Sequence, residues 1–210
     1  MSKPLIILAS QSPRRKDYMQ RMGLTFETIP SDYDEQLDEN RTPDEVAMEL
    51  ALGKALAVAT KYPNAIVVGS DCIVAVNHRQ MGKARDIDDA REMLTALSGK
   101  TSTVSTGLAV VQLSAGKKIS TVDVSTLNFR PNSKEFATLR EEYLTTGDWR
   151  DKAGAFGIQS GGHTLVESIE GDYSSIVGLP TVLLATILTE QFGIIAKPIY
   201  DTPPDGIKNI

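Results

Sequence analysis

Residues 5–15, Leu5-Ile6-Ile7-Leu8-Ala9-Ser10-Gln11-Ser12-Pro13-Arg14-Arg15, decide the fold. The continuous apolar run Leu5 to Ala9 has the length of a strand buried on both faces, which places it inside a sheet. Ser12-Pro13 then reads as a helix start: a serine oxygen can accept a free backbone N–H, and proline is harmless at the first helical position. Arg14 and Arg15 fall in the first turn, where cations oppose the positive end of the helix dipole. An anion reconciles them. Free N–H groups, the Ser10 and Ser12 hydroxyls and two guanidinium forks together describe a phosphate site at the carboxyl end of a strand. Two solvated arginines on a surface turn would explain this stretch equally well on its own, so the remaining chain has to decide.

The 210 residues are enough for one compact domain or two lobes on one sheet, with a sizeable core. Hydrophobic content of 41% and charged content of 23% are those of an ordinary globular protein. A net charge of -5 argues against a general nucleic-acid or anionic-membrane binder, so any phosphate site must be local. The single cysteine, Cys72, can form no internal disulfide and supplies no zinc-type spacing, which fits a reducing cytoplasm. The apolar run after Met1-Ser2-Lys3-Pro4 is too short for a signal peptide, and no stretch approaches membrane-spanning length. A soluble cytoplasmic protein is the expectation.

Outward from the opening motif, a helix should run from Pro13 to Met22 and end at Gly23, followed by a short strand from Thr25 to Ile29. Residues 30–41 form an acidic loop with Asp32, Asp34, Glu35, Asp38 and Glu39, either a solvated face or a source of carboxylate ligands for a divalent ion. Thr42-Pro43-Asp44-Glu45 is a helix start with a capping-box pattern, and the helix should reach about Tyr62. Its inward stripe is Ala47, Ala51, Ala55, Val58 and Tyr62, with Lys54 on the border, where it would snorkel or reach a phosphate. A second buried strand, Ala65 to Gly69, should end on Ser70-Asp71 before a further apolar alternation from Ile73 to Val76. An aspartate there is costly to bury without a cation, a metal or several donors.

Lys83 follows on a short connection, and Asp86 or Asp88 can cap the next helix. Thr101 to Leu113 and Ile119 to Phe129 read as an antiparallel pair, and Ser133 to Leu144 as a helix. The glycine-rich run 152–162 should be a loop that backs closely onto something, a plain turn or a ligand-lining segment. A strand from His163 to Glu170 and a helix from about Thr181 to Phe192 complete the body. Residues 197–210, with three prolines, read as a loosely held tail.

Four cations, Arg14, Arg15, Lys54 and Lys83, and three carboxylates, Glu35, Asp71 and Asp86, thus stand at the edges of elements. A polyphosphate substrate with a divalent ion uses such a set: cations neutralise phosphoryl oxygens, carboxylates hold the metal, and one takes a proton from water. There is no Walker A sequence and no dinucleotide fingerprint, and neither His78 nor His163 has a spaced nucleophile partner.

The segments LASQSPRR at 8–15, SDYDE at 31–35, GSDCIV at 69–74, GKARD at 82–86, LSG at 97–99, KAGAFGIQ at 152–159 and VGLP at 177–180 resemble the Maf family of nucleotide pyrophosphatases, also called septum formation inhibitor proteins. They occur in one order over about residues 5–192. The resemblance implies an α/β fold with an elongated mixed sheet flanked by helices, two lobes and a central cleft, similar to the inosine triphosphate pyrophosphatases. It implies one such domain over residues 1–196 and hydrolysis of a nucleoside triphosphate to the monophosphate and pyrophosphate with a divalent cation, Mg2+ or Mn2+. On this resemblance Asp71 is the proton acceptor, Ser10, Arg14, Lys54 and Lys83 are phosphate-side residues, and Glu35 is the acidic site position; the residue inventory adds Arg15 to the phosphate side and makes Glu35 and Asp71 the metal carboxylates. Arg14, Cys72 and Gln159 fall where the family sets base preference.

The KAGAFGIQ segment is similar to the branch acting on thymidine and uridine triphosphates and lacks the pattern of the 7-methylguanosine triphosphate branch. The chain departs at two positions: Cys72 follows the aspartate where threonine is usual, and Ala84 follows the GK pair where proline is usual. A thiol is the weaker hydrogen-bonding group. The expected partners are the nucleotide substrate and at most a second copy in a homodimer, with no nucleic acid and no membrane. The competing readings are a nucleotide-binding regulator of cell division that needs no hydrolysis, and the same chemistry on 7-methylguanosine triphosphate.

Overall fold

A computed structural model describes residues 4–36, 38 and 40–210. Met1 to Lys3, Leu37 and Glu39, the last a member of the acidic stretch, lie outside the described residues. The opening motif forms strand β1 (Ile6–Leu8) and helix α1 (Pro13–Arg21), followed by the two-residue strand β2 (Glu27–Thr28). Helix α2 (Pro43–Ala59) begins with the full capping box, Thr42 accepting from Glu45 N while Glu45 accepts from Thr42 N, and it stops short of Tyr62. Then come β3 (Ile66–Val76), β4 (Arg79–Met81), α3 (Ile87–Leu97), β5 (Thr101–Gln112) and β6 (Lys117–Phe129). The chain closes with α4 (Lys134–Thr146), β7 (Val166–Glu170), α5 (Tyr173–Val177), α6 (Thr181–Phe192) and β8 (Lys208–Asn209). A 3-10 turn over Gly162–Leu165 replaces the first residues of the strand expected from His163.

Among the described residues the strands form one mixed sheet in the order β2-β1-β3-β5-β6-β7-β8, with β4 folded back on β3. β1 is parallel to β2 and β3, whereas β3, β5, β6 and β7 are successively antiparallel. The period of two along β1 separates its side chains as expected for a strand buried on both faces. Ile6 and Leu8 join a large core with α1, α3, α4 and α6, while Ile7 and Ala9 join a smaller one under α2.

α2 lies against the sheet more closely than ordinary side chains permit, because glycines meet its alanines. A Cβ on Gly69 would collide with the Ala51 carbonyl and stand 2.9 Å from Ala55 N, and one on Gly107 would collide with the Ala47 carbonyl. Gly107→Ala is therefore expected to destabilise the fold by about 1–3 kcal/mol, since the obstacle is helix backbone rather than a movable side chain. A urea midpoint equal to that of the parent would contradict this packing.

Two readings of the chain are corrected here. Ser70 and Asp71 do not end a strand; β3 runs unbroken through them, paired with β5 from Val67↔Val111 to Val76↔Ser102. The segment 197–210 is not loosely held either, because its backbone finds partners despite the prolines. Lys197 N donates to Met22 O at 3.0 Å, Thr181 Oγ1 bridges both backbone groups of Ile199, Asp201 pairs with Arg21, and β8 adds a parallel strand to β7. No described helix is long and apolar enough to cross a membrane.

Candidate active site

The sheet has a gap. β1 pairs with β3 through Val68, where Ala9 N donates to Val68 O at 2.8 Å, and β4 pairs with β3 only from Val74 onward. Between them the edge of β3 over residues 69–73 has no neighbouring strand among the described residues. After Ala9 the chain turns into α1, and after Met81 it turns to pair Lys83 with Ala153. A cleft of about 860 Å³ opens at this gap, so residues from both faces of β3 reach it. Asp71 enters on the α2 side and Cys72 on the other.

Ser10, Arg14, Arg15, Glu35, Lys54, Asp71, Cys72, Lys83 and Gln159 all line this cleft. Asp86 does not; its carboxylate caps α3, accepting from Asp89 N at 2.8 Å. His78 and His163 are likewise outside it. The cleft also takes Asp148, Arg150, Asp151 and Lys152 from the loop after α4, none of which was singled out from the sequence. The only signal for them was that Lys152 opens the glycine-rich run.

At the N-terminus of α1, Ser12 does not cap with its side chain. Ser10 Oγ instead accepts from Ser12 N at 3.1 Å and from Arg15 Nη1 at 3.2 Å. Arg15 is further tied to Gly178 O through Nε at 2.9 Å, and Ser70 Oγ donates to the same carbonyl at 2.9 Å. Arg15 is thus part of the wall rather than a loose cation. Arg14 has no hydrogen bond or ion pair to a described residue and faces the cleft. Burial, then the neighbouring Arg15 charge, pulls its pKa down from the usual arginine range, as expected for a guanidinium waiting for an anion. α1 carries no acidic residue in its first turn to compensate.

Lys54 does not snorkel. The close contact of α2 with Gly69 buries it to 6% exposure beside Asp71, itself 8% exposed. Its ammonium pairs with Asp71 Oδ1 and lies 2.8 Å from Glu35 Oε1, and Lys83 Nζ stands 4.0 Å from Glu35 Oε2. Asp71 is therefore not an unpaired base: Lys54 pins one oxygen and leaves Oδ2 without a hydrogen bond to a described residue. Burial pushes the Glu35 carboxyl up, but its pairing with Lys54 and the charges of Lys83 and Arg15 outweigh this and hold it below the usual carboxylate range.

Among the described residues no three His, Cys, Asp or Glu side chains converge as a metal cage. The donor set still suits Mg2+ or Mn2+, which are commonly held by one or two carboxylates with substrate phosphates and water completing the shell. Glu35 and Asp71, both paired with Lys54 in the cleft, are the residues that would hold such an ion.

The far wall is the loop over residues 152–160, and Tyr143 on α4 holds it. Gly157 N donates to the Tyr143 hydroxyl at 2.8 Å in a buried site. Tyr143→Phe leaves that N–H without its partner and should lower stability by about 1–3 kcal/mol. Burial above all pushes the phenol up to about 12 from its ordinary value of 10.0. Because the folded state favours the protonated phenol, this contribution is complete below pH 10 and is lost as pH rises toward 12. Alkaline unfolding followed in both chains should show a component in that window that the Phe variant lacks.

A family profile described as Maf-like protein matches residues 5–191. The chain belongs to the Maf family. Relatives of full length agree with the match. A protein of Clostridioides difficile (strain 630) is 40% identical over 189 residues, covering 90% of this chain and 96% of its own. One of Pyrococcus furiosus is 40% identical over 185 residues, 87% and 93% of the two chains. One of Dictyoglomus thermophilum is 42% identical over 187 residues, 89% and 95% of the two. All three are named dTTP/UTP pyrophosphatase. In this Maf chain, residues 5–191 contain every element from β1 through α5 and all but the end of α6, and hence the whole cleft.

Proposed function

We propose that this Maf protein hydrolyses dTTP and UTP to the nucleoside monophosphate and pyrophosphate with a divalent cation, in the cytoplasm. The observation that carries the reading is the Asp71–Lys54–Glu35–Lys83 chain of charges facing Arg14 across one cleft. A triphosphate brings the negative charge that Arg14 and the α1 N-terminus lack, and binding there would be charge-assisted. Asp71 Oδ2 takes a proton from water as its oxygen forms a bond to the α-phosphorus. The bridging bond to the β-phosphorus breaks, and pyrophosphate leaves with its charge offset by Arg14, Lys54 and Lys83. Ser10 and Arg15 hold the phosphate end of the cleft in shape. Glu35 and Asp71 would hold a divalent ion, which would supply Lewis-acid stabilisation of the developing charge.

Base preference falls to Cys72, Gln159 and Arg14, which share the cleft lining with the apolar side chains Val74, Val104, Phe156, Ile176 and Val177. A flat pyrimidine suits such walls. Pyrophosphate release with Mg2+ or Mn2+ across thymidine, uridine, cytidine and 7-methylguanosine triphosphates tests this reading. The first two should be turned over fastest. Binding of nucleotide without release from any would indicate the regulator, and fastest release from 7-methylguanosine triphosphate the other branch.

A further inference from the structure

The gap in the sheet leaves backbone as well as side chains facing the cleft. Along a strand, alternate residues turn both N–H and C=O to the same edge. On β3 the residues that face β1 and β4 are Val68, whose carbonyl accepts from Ala9, and Val74 and Val76, which pair with Met81 and Arg79. Ser70 and Cys72 lie in phase with them, so their peptide groups point into the gap, where no described backbone group bonds to them. Ser70 is fully buried, whereas Cys72 is partly exposed and borders the cleft.

The Cys72 thiol is turned away from any such role. Sγ lies 3.2 Å from Thr106 Oγ1, which also bonds Ser175 O, and 3.9 Å from Arg15 Nη2. Val74, Val104 and Ile176 flank this part of the cleft. Gln159 is exposed at the mouth, where water competes for its carboxamide.

Resting on the pyrimidine-nucleotide reading above, we infer that the base is read by the main chain of residue 72: its N–H donates to O4 and its C=O accepts from N3–H. The imide edge of uracil or thymine takes the place of the missing strand, exchanging two hydrogen bonds as a paired residue would. At the same two positions cytosine presents a donor at C4 and a bare acceptor at N3, the reverse order, so both contacts fail and two polar groups are left unpaired. A site built on hydrogen bonds discriminates strongly against such a ligand. A main-chain reader is also indifferent to whether residue 72 is cysteine or threonine.

The test compares kcat/KM for UTP, CTP and N3-methyl-UTP in the parent chain, in Cys72→Ala, and in a chain whose residue 72 amide is replaced by an ester, which removes its N–H. N3-methyl-UTP should be used at least about 100-fold less well than UTP. Whatever happens to overall turnover, Cys72→Ala should keep the UTP-to-CTP ratio within about 3-fold, and the ester should lower UTP use by about 10-fold. Equal use of UTP and N3-methyl-UTP overturns the inference, as does collapse of the ratio in Cys72→Ala. The N3-methyl-UTP comparison uses the unaltered protein, so it stands even if the ester chain does not fold. Failure of the parent chain to release pyrophosphate from UTP at all would instead overturn the pyrimidine pyrophosphatase reading.

Discussion

Asp71→Asn is expected to lower kcat for pyrophosphate release by about 10²- to 10⁴-fold, the range for loss of a positioned general base. The amide matches the carboxylate in shape but cannot take the proton from water. The variant should fold, because Lys54 keeps Glu35 at 2.8 Å as a counter-charge and residue 71 stays within the β3–β5 ladder. Binding of a non-hydrolysable nucleotide should survive, which separates loss of the base from loss of the site. Full metal-dependent turnover by Asp71→Asn would sink the assignment of Asp71.

The second large effect is on Lys54. Lys54→Met keeps the apolar stem against the sheet and removes the cation that joins Asp71 to Glu35. Removing one partner of a buried pair typically costs about 3–5 kcal/mol, and the low end applies here because Glu35 is half-exposed and partly screened. The loss should shrink as pH falls through the carboxylate range: burial pushes the Glu35 carboxyl up but Lys54 holds it below its ordinary value, and that contribution disappears once Glu35 is protonated. A stability deficit independent of pH would contradict the pairing. Loss of a transition-state cation should also reduce kcat/KM by about 10²- to 10³-fold.

Residues 5–15 were the most legible part of the chain, because strand, helix start and arginine placement all report locally. Ser10, Arg14 and Arg15 sit where that reading put them, although the Ser10 hydroxyl rather than that of Ser12 accepts at the helix start. Lys54 could be placed on a helix border but not in the interior. Its burial comes from Gly69 and Gly107 drawing α2 onto the sheet, a contact between segments that no helical period shows.

Asp71 was found but set at a strand end, because Gly69-Ser70-Asp71 looks polar enough to break a strand. It is tolerated in mid-strand since one edge opens on the cleft and Lys54 faces its side chain. Arg150 and Lys152 were missed for a different reason. They belong to a loop with no periodicity, positioned by the Tyr143–Gly157 and Lys83–Ala153 contacts rather than by its own sequence. Asp86 was a carboxylate at an element edge like the others, and only the fold separates a helix cap from a site residue.

Cleavage between the α- and β-phosphates of a pyrimidine nucleotide is tested most directly by turnover of UTP in ¹⁸O-labelled water with both products weighed by mass spectrometry. The account predicts uridine monophosphate carrying one labelled oxygen and pyrophosphate carrying none, because water attacks the α-phosphorus. Label in the pyrophosphate, or release of inorganic phosphate with uridine diphosphate, would contradict it.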